Sequence, residues 1–150
     1  MKTYKSTIDR IKLVKESSDF PKAQINSSKD INEYIRQFYF EDIEIYESVF
    51  IVLLNTKNTT TGYVKISQGG TAGTVVDIKL IAKYALESLA ASIILCHNHP
   101  SGNTTPSNED KNITDKVKNG LNLIDVKLLD HIIISPEKDK YFSFADDGLL

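Results

Sequence analysis

Apolar and polar positions alternate over residues 8–14, and a period of two places successive side chains on opposite faces of a strand. The period then lengthens. Ile31, Tyr34, Ile35 and Phe38 share one face of a helix expected over residues 29–40, with Ser28 as its N-cap. Residues 48–54 are almost wholly apolar and rich in β-formers, which predicts a strand buried on both faces. A polar turn over 55–61 and renewed alternation over 62–67 predict its hairpin partner. Glycines break the pattern at 68–73. Ile78, Ile81, Ala82, Ala85 and Leu89 then mark a helix over 77–91, followed by a short apolar strand at 92–96 and a polar loop at 97–106. Ser107 opens another helix, expected to stop near Gly120. Short strands are expected at 126–129 and 131–135, and a last one at 141–144 after a charged turn. This mixture predicts an α/β (α+β) domain in which helices pack on a central sheet.

Composition narrows the class. The chain has 150 residues, the size of one domain, and 41% apolar against 25% charged residues suits a packed core. A net charge of −2 argues against a dedicated nucleic-acid surface, because such binding rests on Lys and Arg neutralising phosphates. With one cysteine, Cys96, no intramolecular disulfide can form. The N-terminus lacks an apolar signal region, and no apolar run approaches the ~20 residues of a membrane span. These features together predict a cytoplasmic protein with no membrane segment.

The chemistry is concentrated in residues 97–110. Residues two apart on extended chain point the same way, so His97 and His99 can aim both imidazoles at one point, with Cys96 facing away as a buried thiol. Pro100 and Gly102 turn the chain, and Asp110 arrives from the first turn of the next helix. Two imidazoles and a carboxylate suit zinc and leave a fourth position for water. Each element also has a plain reading. A His-x-His pair alone is weak evidence of a metal. Ser107-x-x-Asp110 is equally a helix capping box, and Asn98, Pro100, Ser101 and Gly102 read as turn chemistry. The joint order and spacing favour metal. His131 stays open between a residue that orients a ligand, a substrate contact and a satisfied core histidine.

The pattern His97-x-His99, seven residues, Ser107, two residues, Asp110 is similar to the JAMM signature of JAB1/MPN-type metalloproteins. The fuller string HNHPSGN-x-x-PS-x-x-D resembles the RadC-like JAB domain. So do the upstream run 47–58, the Asp130-His131-Ile-Ile-Ile segment and Tyr141-Phe-Ser-Phe144. The resemblance covers roughly two thirds of the chain, from Glu47 onward, and residues before it match less distinctively. It implies one JAB/MPN (cytidine-deaminase-like) domain over 1–150, a curved, mostly antiparallel sheet flanked by helices. It also implies one Zn2+ per chain on His97, His99 and Asp110, Glu47 as acid/base, and Ser107 as a donor to the developing oxyanion. Spacing alone does not select Glu47 over Glu41 or Glu44.

The implied activity is zinc-dependent hydrolysis of a peptide or isopeptide bond in a protein or peptide substrate. Two departures stand out. Longer RadC proteins carry a helix-hairpin-helix region for which this chain has no room, which weakens the family's DNA-repair association. Asp77-Ile78-Lys79 stands where the family often has a Pro-Arg pair, leaving Lys79 as the candidate basic contact. The competing readings are a non-catalytic JAB-fold binding module and a DNA-repair-associated factor. Strands near the termini offer edges for a homo-oligomer. An HNH nuclease is excluded because its three residues are dispersed through a ββα site. The single cysteine argues against a zinc deaminase, which needs a Cys-x-x-Cys pair.

Overall fold

A computed structural model describes residues 19–69 and 75–150. The strand expected at 8–14 and part of the glycine-rich break lie outside these residues. The described elements are α1 (Ser28–Arg36), a 3-10 turn (Glu41–Glu44), β1 (Ser48–Leu54), β2 (Thr60–Gln68), α2 (Ile78–Glu87), β3 (Ser92–Asn98), α3 (Asn108–Asn122), β4 (Lys127–Ile134) and β5 (Tyr141–Ser143). They form one five-stranded sheet in the order β2-β1-β3-β4-β5. Three pairings are antiparallel. β3 and β4 run parallel, because α3 carries the chain back across the sheet between them. The mixed, mostly antiparallel sheet with flanking helices agrees with the α/β (α+β) fold expected for a JAB domain.

Helices cover both faces of the sheet, which explains why β1 and β3 read as continuous apolar runs. On one face Ile31, Tyr34 and Ile35 of α1 pack over Phe50, Val52, Ile94 and Cys96. On the other, Ile81 and Ala85 of α2 and Val117 and Leu121 of α3 cover Val49, Ile51, Ile93 and Leu95. No helix among the described residues is long and apolar enough to cross a membrane.

Element boundaries differ from expectation for local reasons. Ser27, not Ser28, caps α1, because Asp30 returns a bond to the Ser27 amide and completes a capping box. The helix ends at Arg36 rather than residue 40: the amides of Phe38 and Tyr39 bond three residues back, to Ile35 and Arg36, and tighten the chain. Gly120 lies inside α3 and does not end it. A Cβ there would sit 3.4 Å from Ile78 Cγ2 of α2, so the glycine serves close helix approach. The two strands expected at 126–129 and 131–135 are one strand, β4. A register shift falls between the pairs Ile93–Leu128 and Ile94–Asp130, and the extra residue interrupts the apolar pattern.

Candidate metal centre

The register of β1 against β3 sets the site. Val49 lies opposite His97, so Glu47 and His99 follow as the next pair on the same face. That face also carries Leu95, whose parallel partner on β4 is His131. α3 packs over it and presents Asp110 from its first turn. The result is a cleft of about 610 Å³ lined by Glu47, Val49, His97, His99, Ser107 and Asp110 among others.

One ligand atom each from His97, His99 and Asp110 falls within 4.8 Å of the others, a grouping able to hold a metal ion. The two Nε2 atoms are 2.9 Å apart. Asp110 Oδ1 lies 3.1 Å from His97 Nε2, and Oδ2 lies 3.5 Å from His99 Nε2. Two nitrogens bound to a tetrahedral zinc at ~2.0 Å would be about 3.3 Å apart, so small adjustments suffice.

Hydrogen-bond partners fix the tautomers. The Asn103 carbonyl can only accept, so His99 Nδ1–H donates to it at 2.7 Å and leaves Nε2 with a lone pair. A longer chain does the same for His97. Thr114 Oγ1 gives its proton to the Asp110 carbonyl at 2.6 Å. His131 Nδ1–H therefore donates to Thr114 Oγ1 at 2.6 Å. Burial, with His97 beside it, pushes the His131 pKa well below the usual histidine value, so the ring is neutral and its Nε2 accepts. His97 Nδ1–H donates to that nitrogen at 2.7 Å, and His97 Nε2 is left bare. Two lone pairs and a carboxylate thus face one another, an arrangement that repels itself unless a cation joins it.

Asp110 is held rigidly. Its Oδ2 accepts from the Ser107 amide at 2.7 Å and from the Ser107 hydroxyl at 2.8 Å, while its own amide donates to Ser107 Oγ at 3.0 Å. The capping box and the ligand position are therefore one construction. Burial alone would raise the Asp110 pKa, but the adjoining imidazoles of His97 and His99, which bond the carboxylate whenever they take up a further proton, hold it well below the ordinary carboxylate range, with help from the Ser107 amide. Burial alone would lower that of His99, but Asp110 and the Asn103 carbonyl raise it, with help from the Glu47 charge. The two shifts share one cause, the contact between the Asp110 carboxylate and the imidazoles.

The sequence-predicted residues come together here. Glu47 is half-buried at the cleft, and Ser107 lines it with its hydroxyl engaged on Asp110. Glu41 and Glu44 belong to the 3-10 turn and do not line the cleft. Cys96 points to the opposite face and is fully buried, as expected. Lys79 is exposed in the first turn of α2, outside the cleft lining. His131 is buried, stacked on Phe144 with ring centroids 4.6 Å apart, and bonded to His97.

Two residues escaped the sequence reading. Thr114 follows Asp110 by four positions on α3, a spacing that puts both on one helix face and could have flagged it. Asn98 read as turn chemistry, yet it ends β3 and is fully buried. The turn begins after it, where the Gly102 amide bonds the His99 carbonyl at 3.0 Å and Gly102 takes φ +80°.

The profile of the RadC-like JAB domain matches residues 25–149, so α1 is included in the matched region. Similar relatives include a UPF0758 protein of Flavobacterium johnsoniae, 43% identical over 126 residues that make up 84% of this chain and 53% of the relative. A UPF0758 protein of Clostridium beijerinckii is 41% identical over 128 residues, 85% of this chain and 54% of the relative. One from Porphyromonas gingivalis is 41% identical over 104 residues, 69% and 45% respectively. The chain spans about half the length of the curated relatives it matches.

Proposed function

Because the chain belongs to the RadC-like JAB domain family, we propose that it is a zinc-dependent hydrolase of peptide or isopeptide bonds in a protein or peptide substrate. One observation carries this reading: the bare Nε2 atoms of His97 and His99 and the Asp110 carboxylate converge at the cleft. Neutral imidazoles and a carboxylate are a zinc donor set, and three protein ligands leave room for water and substrate. Zinc held there would lower the pKa of its water to about 7 and polarise the scissile carbonyl.

The chain's own residues supply the rest. Glu47, on the same sheet face as the two histidines, takes the proton of the attacking water and passes it to the leaving amine. Ser107 turns its hydroxyl from Asp110 to the developing oxyanion, while its backbone amide keeps Asp110 in place. Thr114 and His131 hold the His97 proton on Nδ1. The net charge of −2 supplies no electrostatic support for a nucleic-acid partner.

The test exposes a denatured-proteome peptide library and ubiquitin-like conjugates to zinc-loaded protein and maps new termini by mass spectrometry. The proposal predicts cleavage that Glu47→Gln abolishes while zinc content is unchanged. Cleavage at equal rates by wild type and Glu47→Gln would refute the assigned proton carrier. No cleavage of any peptide or conjugate by the zinc-loaded protein would refute the hydrolase reading.

A further inference from the structure

Asn98 lies between the two histidine ligands, and strand alternation turns its side chain to the opposite face of the sheet. It is 0% exposed and makes three hydrogen bonds, all to the backbone just before β1 and at its start. Its Oδ1 accepts from the Ser48 amide at 2.8 Å. Its Nδ2 donates to the carbonyls of Ile43 and Tyr46, each at 2.8 Å. The reverse amide orientation would set an NH2 group against an N–H and an oxygen against two carbonyls, so only one orientation fits.

These bonds bracket Glu47. Tyr46 before it and Ser48 after it are both tied to Asn98. The Glu47 carbonyl accepts from the Gly69 amide at 2.9 Å, and Tyr39 Oη donates to the Ser48 carbonyl at 2.7 Å. The other ties before β1 are local: the amides of Ile45 and Tyr46 bond the Asp42 carbonyl, each at 2.9 Å, and Ile43 packs against the core. The 3-10 turn contains no fully buried residue, and Ile45 and Tyr46 are exposed.

We propose that Asn98 is a positioning residue that locks Glu47 in register with the metal ligands flanking Asn98, so that base and ligands move as one unit. The inference rests on reading Glu47 as the proton carrier. A proton carrier works only within hydrogen-bond reach of its water, and a misplacement of ~1 Å can cost ~100-fold in rate. Asn98 supplies that placement without touching substrate. It couples two sequence-distant parts of the site through one buried amide.

The experiment uses cobalt(II) in place of zinc and follows the visible absorption of the bound cobalt against pH. Its inflection reports ionisation at the centre and needs no substrate. Glu47→Gln is expected to move the inflection. Asn98→Ala is expected to move it in the same direction and by most of the same amount, with cobalt stoichiometry unchanged. The Glu47→Gln/Asn98→Ala double variant is expected to match Glu47→Gln alone. Asn98→Ser serves in the same way should the alanine variant fail to fold.

A purely structural Asn98 would lower the melting temperature yet leave the inflection at the wild-type value. Glu47→Gln would then shift it fully in both backgrounds, and that result overturns the proposal. Cobalt uptake with no effect of Glu47→Gln would overturn it too, by removing the residue that Asn98 is said to position. Failure of the wild type to take up cobalt would instead refute the metal reading beneath it.

Discussion

Replacing His131 by phenylalanine keeps a flat ring against Phe144, where the centroids are 4.6 Å apart and the planes differ by 12°, but removes both nitrogens. Thr114 still donates to the Asp110 carbonyl at 2.6 Å, so the first turns of α3 keep their tie. The loss falls on His97. Its Nδ1–H, in a side chain only 4% exposed, no longer has the acceptor at 2.7 Å. A buried donor left unpaired costs about 1–3 kcal/mol. The ring can escape that cost by moving the proton to Nε2, but Nε2 is then blocked as a ligand. Either way metal affinity suffers, and at about 1.4 kcal/mol per tenfold the loss is roughly 10- to 100-fold. Competition for zinc against a chromophoric chelator, on protein shown to be folded by near-UV circular dichroism, measures it directly. A His131→Phe affinity within about twofold of wild type would refute the tautomer argument.

Two further predictions concern the scaffold. Arg36 donates to Asn32 Oδ1 at 2.9 Å and to the carbonyls of Ser135, Glu137 and Lys140 at 2.9, 3.1 and 3.2 Å, binding α1 to the β4–β5 connection. Water can replace it at the exposed Glu137 and Lys140 but not at Ser135, which is 0% exposed, so Arg36→Ala should cost about 2–3 kcal/mol in urea unfolding; a change under about 0.5 kcal/mol would contradict this. Asp130 accepts from Ser143 Oγ and the amides of His131 and Ala145, and Asp130→Ala should cost about 2–4 kcal/mol near pH 4 by the same measurement. Burial raises the Asp130 pKa, so its contribution is fully present below the unfolded carboxylate value and is lost as pH rises through the folded one. The stability gap between wild type and Asp130→Ala should therefore narrow from about pH 4 towards about pH 7, and a gap that widens would contradict the sign.

What could be read in the sequence was local. The apolar runs at β1 and β3 announced strands covered on both faces, and His97, His99 and Asp110 lie close enough in the chain for strand parity and one helix turn to bring them together. What could not be read depended on distant pairing. Glu47 reaches the centre only through the antiparallel register in which Val49 faces His97, a fact with no local signature; family resemblance supplied the residue, and the register explains it. Asn98 looked like a turn residue because its three partners lie 50 to 55 positions earlier. The β4 bulge hid one strand as two, because an unpaired residue shifts the apolar alternation by one.

Metal content decides whether His97, His99 and Asp110 form a metal site. Wild type and Asp110→Ala would be loaded with zinc, exhaustively desalted side by side, and assayed for zinc per chain by mass spectrometry, with folding checked on the same samples. About one zinc per chain is expected in wild type and far less in the folded variant. No retained zinc in wild type, or equal retention in Asp110→Ala, would contradict it.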